Sequence, residues 1–202
     1  MRPNWSNHGI SGEINWPRSE VTFRFGAYKL IALPATDVHQ ASLHVELEQN
    51  NIDSIQAMSI MSQILSLASW LDDAYAILHD GFAGSTQPVP VKRRNLNRPS
   101  SFLGGWVMRR KPVADLKARR ALALYREART QEAVGSVPYA VLGFYKIINV
   151  PYSSPADQID WIDRNVSSIH DDWAKECVKK ISLSANGRTL GQYIYGCCRC
   201  AV

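Results

Sequence analysis

Residues able to do chemistry gather in two places in this 202-residue chain, a basic run near its middle and a stretch at its end. Phe102, Trp106 and Met108 lie among Arg93, Arg94, Arg98, Arg109, Arg110 and Lys111. Cations interleaved with aromatics suit single-stranded nucleic acid, because phosphates pair with the charges and bases stack on the rings. Arg93, Arg94, Arg98, Trp106, Arg109 and Arg110 are therefore candidate nucleic-acid contacts. The competing expectation is a solvated basic loop pinned to the core by Trp106, and charge alone favours that one. At the end of the chain, Arg199 stands among small apolar residues, where an unpaired charge is costly. A carboxylate such as Glu127, or a phosphate, must hold it. Glu127 is expected to pair with Arg199 or Arg126, either orienting an active arginine or fixing helix register. Cys197-x-x-Cys200 has the form of a metal pair, but a zinc site needs about four ligands and only Cys177 and His170 remain to help. Small cysteines packing a helix are the expectation, with no metal. His39 is placed on a loop and His44 on a strand face, both as solvated surface residues. No Gly-rich phosphate loop is present and no cofactor is expected.

These residues sit on an uneven charge distribution. Residues 1–91 carry 4 Lys/Arg and 9 Asp/Glu, residues 92–130 carry 12 and 2, and residues 131–202 carry 7 and 7. The net charge of +5 thus comes from one segment, dense enough to attract phosphate. A hydrophobic fraction of 46% supports a real core and excludes a disordered chain. Three of the four cysteines crowd into one short segment, which does not resemble a secreted disulfide framework. The first residues lack the apolar run of a signal peptide, and no segment is long enough to span a membrane. A cytoplasmic protein is expected.

The elements that must position these groups follow from periodicity. Residues 1–17 read as turn-rich, anchored by Trp5 and Trp16. Val21, Phe23 and Phe25 alternate with polar residues, Tyr28, Leu30 and Ala32 continue after a bend at Gly26, and Leu43, Val45 and Leu47 alternate again. The spacing predicts strands near 21–32 and 42–48. A broad apolar stripe from Ile55 to Leu78 predicts a helix over 53–79, closed at Asp80-Gly81. Residues 81–113 read as a long connection. Further helices are predicted over 114–132, from Pro138, from Ser154-Pro155, from Asp171, and after an Asn186-Gly187 turn. The fold class is α+β, mainly α. A small antiparallel β unit (1–50) precedes a helical bundle (51–202) with the basic connection at 81–113.

Ala121-Leu-Ala-Leu-Tyr-Arg-Glu-Ala128, followed by Val137-Pro-Tyr-Ala-Val-Leu-Gly-Phe-Tyr-Lys-Ile-Ile148, resembles the helical region of the methylamine-utilisation MauJ family. Leu65-Ser-Leu-Ala-Ser-Trp70 and Leu190-Gly-Gln-Tyr-Ile-Tyr-Gly-Cys-Cys-Arg-Cys-Ala-Val202 are similar to it as well. In such proteins the last segment runs on into Ala-His, which would complete an Arg-x(4–6)-His signature of HEPN domains. The resemblance therefore implies a HEPN-like bundle that pairs as a homodimer and binds RNA, or cleaves it without metal. Arg199 would be the catalytic arginine and its partner histidine would lie beyond Val202, so the chain is expected to be truncated. The chemistry fits that signature: a histidine moves a proton near neutral pH and an arginine holds the phosphate. Arg164-Asn-Val-Ser-Ser-Ile-His170 meets the same spacing and is the alternative catalytic pair. The other functional expectations are a non-catalytic helical interaction or dimerisation protein, or an accessory protein of methylamine utilisation.

Overall fold

The computed structural model describes residues 4–92 and 111–198. Among them the fold is α+β and mainly α, an N-terminal antiparallel sheet followed by helices. Five strands form the sheet: β1 (Trp5–Gly12), β2 (Val21–Phe25), β3 (Tyr28–Leu33), β4 (Ser42–Glu46) and β5 (Ala76–Ser85). Their spatial order is β2-β3-β4-β1-β5, antiparallel throughout. Between β4 and β5 the chain makes a short helix α1 (Leu47–Asn50) and the long helix α2 (Ser54–Asp72). The rest is helical: α3 (Leu116–Ala133), α4 (Val137–Ile148), α5 (Pro155–Asn165), α6 (Asp172–Ser184) and α7 (Leu190–Cys198).

The alternating residues form strands for the predicted reason. Val21, Phe23 and Phe25 pair with Ala32, Leu30 and Tyr28, and Leu43 and Val45 join them on the core face. The two-residue link of this hairpin begins at Gly26, whose φ of 66° is open to glycine at little cost. α2 lies across that face. Its Ala57, Ile60, Met61, Ile64, Leu65 and Ala68 follow the helical period and are buried against Ile10, Trp16, Leu30 and Leu43. Asp53 and Gln56 close its start with a reciprocal capping box.

The structure corrects three expectations. The predicted helix over 53–79 ends at Asp72, because Asp73 turns left-handed (φ 50°) and Ala74 N–H closes onto Ser69 O at 3.1 Å. The apolar residues after it satisfy a helical and a strand period alike, and pairing with β1 decides for strand. The predicted connection from residue 81 therefore starts later, since β5 runs to Ser85. The turn-rich opening is the second correction. Trp5–Gly12 is a strand with all eight residues buried, held on both edges by β4 and β5. The third is His44, which is not a surface residue but wholly buried.

The later helices begin where predicted. Ser154 Oγ accepts from Asp157 N–H at 3.1 Å with Pro155 in the first turn, and Asp171 caps α6 through Ala174 N–H at 2.7 Å. Asn186 and Gly187 both take positive φ before α7. α3 packs on α2, α4 on α3, and α5 and α6 on α7. Gly143 lets α4 approach α3 closely, because a Cβ there would sit 2.8 Å from the Ala128 Cβ. Gly191 does the same between α7 and α5, and its N–H is capped by Asp163 Oδ1 at 2.7 Å. Among the described residues no strand follows α3, and no helix is long and apolar enough to cross a membrane.

Candidate functional site

α3 and α4 do not lie flat against the sheet. They leave a cleft of about 640 Å³ whose floor is Ala76, Ile77 and Leu78 of β5 and whose walls come from α2, α3 and α4. Clefts of this size hold small organic molecules. Its polar groups come from the helices: Ser62 of α2, Arg126, Glu127 and Gln131 of α3, Tyr139 and Lys146 of α4, with Ser136 between the last two helices. Met58, Leu124 and Leu142 supply the apolar share.

Arg126 is the least solvated charge of the cleft. Burial lowers the pKa of its guanidinium, and the nearby Glu127 carboxylate opposes that shift. Arg126 Nη1 donates to Ser62 O across a long 3.4 Å, and Ser66 Oγ donates to the same carbonyl at 2.8 Å. Glu127 is exposed and acts on Arg126 through its field, with no direct ion pair between the two. Lys146, one helix over, is also exposed. The cleft thus offers two cations and one anion around an apolar floor, a set that binds and orients a ligand.

Next to the cleft, Tyr125 ties α3 to the end of α2. Its hydroxyl donates to the Asp73 carboxylate, and its ring meets Trp70 and Phe144 edge-on at 5.2 and 5.8 Å. Burial and that hydrogen bond raise its pKa to about 12. Arg129 donates to Asp73 O at 2.6 Å and pairs with Glu132 at 2.6 Å. This cluster fixes the cleft wall and leaves Tyr125 protonated at neutral pH.

A second polar group lies on the sheet face away from α2. Asn7 and His44 are register partners there. Asn7 Oδ1 only accepts, so His44 carries its proton on Nδ1 and donates at 2.8 Å, while Nε2 accepts from Ser42 Oγ–H at 2.8 Å. Asn7 Oδ1 also accepts from Val89 N–H at 2.9 Å, and Asn7 Nδ2 donates to Ser85 Oγ at 2.9 Å. The segment after β5 returns over this face through these bonds. Burial, helped by His8, lowers the His44 pKa to about 4. His8 bonds Ser6 and His79 O, and His79 bonds Ser11. With both ring nitrogens of His44 engaged, the network holds strands and loop together. Sequence reasoning missed it: an Asn-x-x-like polar run in β1 and one histidine 37 positions away carry no local signal.

The predicted site residues fall in three groups. Arg93, Arg94, Arg98, Trp106, Arg109, Arg110 and Arg199 lie outside the described residues. Arg164 sits near the end of α5, exposed, paired with Asp160 at 2.6 Å. His170 is exposed and lies beyond that helix, after a 3-10 turn at Val166–Ser168, so the two do not share one helix. Cys177 and Cys197 are free, and no metal-holding group of three or more His, Cys, Asp or Glu occurs among the described residues. The Arg126 and Lys146 cleft was not legible, because α3 and α4 form it only by standing off β5.

Residues 121–202 match the family model described as Methylamine utilization protein MauJ. The match begins inside α3, includes the α3 and α4 wall of the cleft, and covers less than half of the chain. This supports a MauJ-like character for the helical part. No curated protein and no solved structure matches the chain.

Proposed function

We propose that this chain is an accessory binding protein of methylamine utilisation, and that the cleft between β5 and the α3–α4 pair is where it engages its ligand. The observation that carries this reading is a coincidence of place. The segment similar to the MauJ family supplies Arg126, Glu127, Tyr139 and Lys146 to this cleft of about 640 Å³. Tyr139 and Lys146 are exposed, so changing them leaves the fold intact. The test is growth of the host on methylamine as sole nitrogen source. Deleting the gene abolishes growth, the wild-type gene restores it, and a Tyr139→Ala/Lys146→Glu double variant does not. Undiminished growth of the deletion strain overturns the reading.

A second reading is RNA binding by a HEPN-like homodimer. Its support is the cationic segment 92–130, whose later part places Lys117, Arg119, Arg120, Arg126 and Arg129 on α3. Counterion release then makes affinity fall steeply with salt. Changing Arg93, Arg94, Arg109 and Arg110 to Ser flattens that slope, and an unchanged slope removes the reading. For cleavage, this reading pairs Arg199 with a histidine that completes the Arg-x(4–6)-His signature. In a chain extended by Ala-His, Arg199→Ala abolishes metal-independent cleavage while circular dichroism stays the same. Cleavage lost on His170→Ala instead moves the site to Arg164 and His170.

A further inference from the structure

On the other side of Arg126, α2 and α3 enclose a smaller space of about 190 Å³. Arg119 and Arg126 line it from one face of α3, two helical turns apart. Ser59, Ser62, Gln63 and Ser66 line it from α2, at the helical spacing of one face. We propose that this space is an oxyanion site that takes a phosphate group, free or as the end of a small phosphomonoester.

The argument rests on charge and on unmet hydrogen bonds. Two guanidiniums border a confined space, and none of the described residues lining it is acidic. Among the described residues neither guanidinium forms an ion pair. Residues 93–110 and 199–202 contain no Asp or Glu, so those segments bring no side-chain carboxylate to it. Arg119 Nε is buried without a hydrogen-bond partner. Arg126 has one long bond to a carbonyl already shared with Ser66. A buried donor left unmet is costly, more so when charged. A tetrahedral oxyanion would accept from both guanidinium forks, the geometry arginine serves best. Ser59 Oγ and the Gln63 amide, which bond each other across 3.5 Å, can turn to donate. Phe25, Leu67 and Leu122 bound the space on its apolar side and limit the ligand to a small group. This inference goes beyond both functional readings: the space shares Ser62 and Arg126 with the cleft but adds Arg119, Ser59, Gln63 and Ser66, and it is tested with a small phosphate rather than by growth or RNA binding.

The test titrates the full chain with inorganic phosphate and separately with phenyl phosphate, against chloride at matched ionic strength. Inorganic phosphate is expected to raise the unfolding midpoint saturably, by about 3–6 °C at tenfold excess over its Kd. Its ³¹P resonance is expected to broaden on adding protein. Arg119→Met and Arg126→Met each remove both signals, and Arg188→Gln, on the Tyr193 ring away from the site, keeps them. Phenyl phosphate binding tighter than phosphate assigns a monoester, and the reverse assigns the free anion. Equal midpoints in phosphate and chloride with no line broadening overturn the site. So does a shift that survives in both Met variants, which is general stabilisation by salt exclusion. Should a Met variant not fold, Arg119→Lys and Arg126→Lys replace it, with at least tenfold weaker phosphate broadening expected and unchanged broadening counting against the site.

Discussion

The two halves of the molecule are built to different standards of packing. The sheet and α2 bury Ile10, Trp16, Phe25, Leu30, Leu43, Met61, Ile64 and Leu65 almost completely. From Leu116 onward the described helices bury only a few residues, among them Ala128, Ala140, Tyr145 and Ile162, while Trp173 and Leu183 stay 78% and 85% exposed. An apolar groove of about 430 Å³, lined by Phe144, Trp161, Ile181 and Ile194, runs between the later helices. The first half therefore supports itself through apolar burial, and the second leans on it through α3 and offers surface. The MauJ-like match lies in that second half, where surface for binding is plentiful.

The comparison can be broken most directly in the sheet core. Ile64→Ala should destabilise the fold by about 2–5 kcal/mol, since it removes buried methyls and leaves a cavity. Urea unfolding measures it, and a loss under 1 kcal/mol would mean the first half is not the stabilising one.

Acid should act on the sheet half through His44. Its folded pKa, about 4, lies below the ordinary imidazole value of 6.5, so the unfolded chain takes up the proton first. Stability is full above the unfolded pKa and falls as pH drops from 6.5 toward 4, by roughly 3 kcal/mol in all. Urea midpoints across that range should slope downward in the wild type. His44→Gln should be less stable at pH 7 and show less of that slope; an equal slope in both would assign the acid loss to other groups.

Gly143→Val sharpens the boundary between the halves. Its side chain meets Ala128 where α4 crosses α3, and overpacking of this kind costs about 1–3 kcal/mol. Hydrogen exchange should speed up in α3 and α4 and stay slow in β1 and β4. Equal loosening of the sheet would show that the two halves unfold as one unit.

The smallest effect belongs to Leu183→Ser on exposed α6, within about 0.5 kcal/mol of wild type in thermal unfolding. A larger loss would show that this leucine is covered in solution, as in a homodimer, and the midpoint would then depend on protein concentration.

Legibility of the chain followed how local each signal was. Strands β2, β3 and β4, the start of α2 and the caps of α5 and α6 could be read because alternation, helical spacing and capping residues act within a few positions. Residues 74–79 were misread as helix because their apolar spacing satisfied both periods. Of the candidate site, Arg126 and Glu127 were noticed only as partners for Arg199. Tyr139 and Lys146 entered only as part of the segment that resembles the MauJ family, and the cleft that joins them to β5 had no signature.

The sequence by itself determined the α+β class, the order of most elements and the concentration of positive charge between residues 92 and 130, since composition and short-range periodicity carry these. Only the tertiary structure decided that Trp-Ser-Asn-His-Gly-Ile-Ser-Gly becomes the buried β1, that β5 pairs with it, and that His44 loses its water. It also decided that Arg119 and Arg126 face a hydroxyl-lined helix. A weak strand former becomes a strand when both of its edges are hydrogen-bonded. A histidine or arginine changes its chemistry when distant segments remove its solvent.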